Sequence, residues 1–135
     1  MTTSLQDPRF LRCQRVSSIL VVRPAADPRN FSDQAKQHAY NSVMRKIGVT
    51  VSPGLLIDLS RCQMLDSATV GILIQLSKEV IRTDGRTAMC GASSVVRETL
   101  ARLMLLEPTH RQLVWRQFAT AVCALAELKL PQMSK

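Results

Sequence analysis

Leu55–Leu59 is a short, almost wholly apolar run that reads as a strand. A strand of that kind sits comfortably only where both faces of its sheet are covered, so it belongs at the centre of a layered α/β fold. A polar connection, Arg61–Leu65, leads from it to Asp66-Ser67-Ala68 and then to a helix expected over Ala68–Arg82. Val70, Ile72, Leu73, Leu76 and Val80 give that helix a wide apolar face, and Thr83-Asp84-Gly85 supplies the turn residues that close it.

The flanking sequence repeats the pattern. Phe10–Val16 alternates apolar and polar residues, Ser17–Arg23 carries a β-branched run, and Val16-Ser17-Ser18 is the expected turn between two strands. Pro24–Asn30 reads as a loop. Ser32 is a candidate N-cap for a helix reaching about Lys46, with Tyr40, Val43, Met44 and Ile47 at helical spacing and Gly48 ending it. Further on, Thr87–Gly91 reads as a strand and Ser93 or Ser94 as the cap of a helix burying Val96, Leu100, Leu103 and Met104. Leu105–Thr109 reads as a loop, Leu113–Gln117 as a last strand, and Thr120–Leu128 as a last helix with Val122, Leu125 and Leu128 inward. The order ββαβαβαβα predicts an α/β fold: one domain over residues 1–135, with a core from about 10 to 128 and loose termini at 1–9 and 129–135. Its sheet is expected to be mixed but mostly parallel, with four to five strands and about four helices.

Composition removes several classes of function. No run approaches the roughly 20 apolar residues that span a bilayer, and the N-terminus lacks a basic region followed by an apolar one. Cys13, Cys62, Cys90 and Cys123 are scattered, without a CxxC pair and far in sequence from His38 and His110, so no metal site is expected. Reduced, mostly buried thiols and a cytoplasmic location follow. The net charge of +8 invites an acidic partner or nucleic acid, but the arginines are dispersed and lack interleaved aromatics, which argues against specific nucleic-acid binding.

Catalytic signatures are absent. The five glycines make neither a phosphate-cradling loop nor a dinucleotide fingerprint, and neither histidine stands beside a candidate nucleophile, so neither a cofactor nor an enzymatic activity is expected. Asp58 and Asp66 do not read as an acid–base pair. Asp58 is expected to hydrogen-bond nearby backbone, and Asp66 to cap or shape the loop. What remains is Ser67, a small hydroxyl where a strand hands over to a helix N-terminus. The ordinary role there is an N-cap, worth on the order of 1 kcal/mol, but the same place tolerates a phosphate carried by the serine itself.

The segment from Leu55 to Leu106, with LIDLSRCQMLDSATVGILIQL, the turn TDGRTAMCGA and the helix VVRETLARLMLL, resembles the STAS domain. The order of elements fits that family from about Phe10 to Leu128. The resemblance implies a bacterial anti-sigma factor antagonist (an anti-anti-sigma factor) that binds an anti-sigma serine kinase and acts in transcription regulation. Its phosphoacceptor would be Ser67, and its contact surface Arg61, Gln63, Asp66, Ser67, Ala68 and Thr69. Where the family usually has Asp-Ser-Ser-Gly-Leu-Gly, this chain has Asp66-Ser67-Ala68-Thr69-Val70-Gly71, which places a β-branched hydroxyl residue, a second and weaker candidate acceptor, at position 69. The family also implies an alternative, a non-phosphorylated scaffold or an accessory subunit of a signalling complex or lipid transporter. A second copy of the chain is a further candidate partner.

Overall fold

A computed structural model describes residues 9–49, 54–102 and 116–129. The chain opens with β1 (Leu11–Val16) and β2 (Ile19–Pro24), followed by a 3-10 turn at Pro28–Asn30 and α1 (Asp33–Gly48). Then come β3 (Gly54–Asp58), α2 (Ser67–Arg82), β4 (Arg86–Cys90), α3 (Ser94–Arg102), β5 (Arg116–Phe118) and α4 (Ala121–Lys129). The five strands lie in the sheet in chain order, β1 antiparallel to β2 and each later pair parallel. That is the mixed, mostly parallel sheet expected from the alternation of strands and helices.

Strand periodicity sorts the core into two layers. Leu20, Val22, Leu55, Ile57 and Met89 point to one face, where they meet Val43 and Ile47 of α1, Val70, Leu73, Leu76 and Val80 of α2, and Val96 and Leu100 of α3. Ile19, Val21, Leu56, Ala88 and Cys90 point to the other face and pack against Ala124, Leu125 and Leu128 of α4. Every residue of β3 is buried, which is why its sequence shows no polar alternation apart from Asp58 at its end.

Local signals act much as their chemistry requires. Ser17 takes a left-handed conformation (φ 59°) in the β1–β2 turn. Ser32 Oγ accepts from Ala35 N at 3.0 Å and caps α1, with Asp33 in the first turn. At the end of α2 the left-handed residue is Asp84 (φ 65°), one position before the glycine, and Gly85 N donates back to Val80 O.

Some boundaries move. Of the expected last strand Leu113–Gln117, residues 116 and 117 lie in β5 (Arg116–Phe118), which runs one residue further to Phe118, packed under α4; residues 113–115 lie outside the described residues. Thr120 is the residue before α4, and its hydroxyl accepts from Cys123 N. Leu103, Met104, the loop Leu105–Thr109 and nearly all of both termini lie outside the described residues, as does the side chain of Val122.

Candidate functional site

The connection from β3 to α2 is built from its ends inward. At the end of β3, Asp58 Oδ1 accepts from Ser60 N at 3.0 Å and Oδ2 from Arg23 Nε at 2.9 Å, while Arg23 Nη1 reaches Gln14 Oε1 at 3.2 Å. Burial works against the ionised form of Asp58, but the Ser60 hydrogen bonds and the Arg23 guanidinium outweigh it and hold the carboxyl below its ordinary range. Leu59 N donates to Cys90 O, and Gln63 N to Ala26 O, so the loop is tied both to β4 and to the segment after β2. Cys62 is buried beneath it, with Sγ donating to Met64 O at 3.1 Å. Burial, aided by the charges of Asp27 and Asp66, pushes this thiol up to about 11. It is a packing residue rather than a nucleophile.

The neighbouring strand approaches closely. Gly91, which follows β4, has φ +74°, and a Cβ there would stand 2.9 Å from Ser60 N. Only glycine fits both the conformation and the space. Beside it lies an open cavity of about 320 Å3 at the ends of β4 and β5, lined by Met89, Cys90, Gly91, Ala92, Arg97, Phe118 and Ala119. Burial first, then the charge and hydrogen bond of Asp58, push the Cys90 thiol up to about 12, so it stays protonated at neutral pH.

The cap of α2 is Asp66, which corrects the reading of Ser67 as the capping residue. Asp66 Oδ1 accepts from Thr69 N at 2.8 Å, and its backbone is extended (φ −105°, ψ 171°) as a cap must be. The physical reason is position. Ser67 is already the first helical residue, one step too late for its Oγ to serve the free N–H groups of the first turn. Ser67 is instead exposed.

The other carboxylate oxygen, Asp66 Oδ2, accepts from Lys36 Nζ of α1 at 3.0 Å. Lys36 is 7% exposed, and its ammonium lies 5.7 Å from the centre of the Phe10 ring. Burial disfavours the ionised form of Asp66, yet the hydrogen bonds from Thr69 N and Lys36 Nζ and the lysine's charge hold its carboxyl below the ordinary range.

Of the six residues expected to form the contact surface, Arg61, Gln63, Ser67 and Ala68 are exposed and Asp66 is half-buried. Thr69 is a correction. It is 1% exposed, and its buried hydroxyl has no hydrogen-bond partner. That burial leaves it neither part of the exposed surface nor open to modification in this conformation.

Two residues of the site escaped the sequence reading, Lys36 and Arg23. Lys36 carries a usable signal, because it lies in helical register with Tyr40, Val43 and Ile47, and a charge on an apolar stripe needs a buried partner. Arg23 carries none, since it ends a strand as any polar residue could. Among the described residues no group of three or more His, Cys, Asp or Glu is placed to hold a metal, and no helix is long and apolar enough to cross a membrane.

Known proteins resemble this chain in sequence pattern and in fold. The STAS domain profile matches residues 14–113. An anti-sigma-factor antagonist (STAS) domain protein from Planctomyces limnophilus superposes with a TM-score of 0.72 at 18% identity, covering 87% of this chain and 97% of that one. The anti-sigma factor antagonist SpoIIAA in its unphosphorylated form gives 0.72 at 18% identity, covering 88% of this chain and 96% of that one. The phosphorylated form of SpoIIAA, a cell fate determinant of Bacillus, gives 0.59 at 20% identity, covering 88% and 99%. No curated protein sequence matches significantly.

Proposed function

The chain belongs to the STAS domain family, and on that premise we propose that it is an anti-sigma factor antagonist, switched off by phosphorylation of Ser67. The observation that carries this reading is the exposed Ser67 hydroxyl at the first position of α2, directly after a cap that is already ion-paired. An anti-sigma kinase would dock on Arg61, Gln63, Ser67 and Ala68 and so release its sigma factor. Transfer of the γ-phosphoryl group of ATP to Ser67 Oγ, with loss of the hydroxyl proton and departure of ADP, would then end the contact.

The electrostatics favour a switch that acts without unfolding the domain. With Lys36 neutralising Asp66, the unmodified surface is close to neutral apart from Arg61. A phosphate adds a charge of about −1.5 to −2 and three acceptor oxygens. The N-terminus of α2 stabilises that charge, whereas a partner packed against Ser67 would have to desolvate it. Binding is lost while the fold persists.

Incubation with the cognate kinase and ATP, followed by mass-spectrometric mapping, should place phosphate on Ser67, and Ser67→Asp should weaken kinase binding at least about tenfold. Absence of phosphate at Ser67 together with full binding by Ser67→Asp overturns the proposal. Co-purification with a large scaffold or a transporter ATPase, in place of a kinase, would favour the non-phosphorylated accessory role.

A further inference from the structure

The ion-pair partner of the α2 cap lies on a different helix. We propose that Lys36 is the positioning residue and built-in counter-charge of this switch: its buried ammonium couples α1 to whatever charge residue 67 carries. The inference rests on Ser67 as the regulated residue, but its physical content does not need a kinase.

Four observations converge. Lys36 is almost completely buried, a position that an ammonium occupies only with a partner. That partner is Asp66 at 3.0 Å, the residue immediately before Ser67, whose Cα is therefore only about 3.8 Å along the chain. The ammonium also lies 5.7 Å from the centre of the Phe10 ring, which packs at 5.5 Å and a tilt of 59° against Phe31, so movement of the lysine out to water would give up a cation–π contact. Finally, an ammonium has three donors, and Asp66 Oδ2 engages one of them.

The other nearby charges do not do the same work. Asp27, whose charge raises the Cys62 thiol together with that of Asp66, has its carboxylate held by Arg29 Nε and Nη2 at 3.0 and 2.9 Å. Arg61 is exposed and so is screened by solvent. Lys36 alone in this group combines a positive charge with burial and a fixed place. Anionic groups added at residue 67 would join Asp66 around it. Without Lys36 the same groups would stand beside an unneutralised Asp66 carboxylate.

A double-mutant cycle on the full chain tests this by denaturant unfolding, with Ser67→Glu as the added charge. Ser67→Glu should leave the folding constant of the native chain within about twofold, and should lower it at least about fivefold in the Lys36→Met background. Lys36→Arg, which keeps the charge, should restore the native response. Should Lys36→Met not fold, Asp66→Asn gives the complementary reading. There Ser67→Glu should raise the folding constant at least about threefold, because the carboxylate it introduces becomes the partner of Lys36. Equal effects of Ser67→Glu in all backgrounds overturn the coupling. Such a result would leave the kinase reading untouched, and a failure of kinase phosphorylation would equally leave the coupling intact.

Discussion

Two helices of this protein begin in nearly the same way but differ in what stands behind their caps. α2 starts with Asp66 as cap and Ser67 as first helical residue; α3 starts with Ser94, and Ser93 Oγ accepts from Val96 N at 3.2 Å. Both follow parallel strands at the same end of the sheet, and both present an exposed serine at the first helical position. The difference lies behind the caps. Asp66 is charged, half-buried and bonded to a buried lysine thirty residues away, whereas Ser93 is neutral and exposed. A serine at a helix start is common. A serine there beside a fixed ion pair is a place where added charge has structural consequences.

The largest expected effect strikes the contact between the two junctions. Gly91→Ala forces a left-handed alanine against the Ser60 backbone and should destabilise the fold by about 3 kcal/mol in denaturant unfolding. A loss under about 1 kcal/mol would mean that the loops are not packed as described.

Next comes a direct contest between the caps. Asp66→Ala removes the hydrogen bond to Thr69 N and leaves Lys36 buried without its half-exposed carboxylate, an expected loss of about 2 kcal/mol. Ser93→Ala removes a cap only and should lose about 1 kcal/mol. Equal losses would erase the distinction between the two helix starts.

Acid should divide them as well. The folded-state pKa values of Asp58 and Asp66 lie below the ordinary carboxylate value, so their ionised forms add stability above about pH 4, and that stability disappears as pH falls through the lowered values. Stability against pH should therefore drop on the acid side. Asp66→Asn should flatten that limb, while Ser93→Ala should shift the curve without changing its slope.

The smallest effect is the most specific. Ser94→Glu should stabilise by about 0.5 kcal/mol through the helix dipole, and to the same extent whether or not Lys36 is present. A response of Ser94→Glu to Lys36→Met, read by thermal or denaturant unfolding, would show that the coupling assigned to residue 67 is a general property of helix starts.

Much of the architecture is legible locally. The all-apolar Leu55–Leu59 run calls for cover on both faces, and α1–α3 and α4 supply it. Helical spacing correctly identifies Val43 and Ile47, and Val70, Leu73, Leu76 and Val80, as core. The reading of Asp58 as a backbone ligand agrees with its bond to Ser60, though its Arg23 partner lies on another strand. The site was legible only in outline. Its contact residues are what the family resemblance implies; Asp66 caps as one of the two roles expected of it, but Ser67 does not, and Thr69 is buried, because a shift of one position on a helix rotates a side chain by about 100°.

By itself, then, the sequence determined the succession of elements, the two apolar faces of the sheet and the position of one small hydroxyl at a helix start. Those depend on periodicity and on groups within a turn of one another. Only the tertiary structure decided that Asp66 is neutralised by Lys36, that Arg23 and Asp58 meet across 35 residues, and that Gly91 lies against Ser60. Such contacts are made by residues remote in sequence, and no local pattern states which buried charge will find which partner once the sheet has closed beneath them.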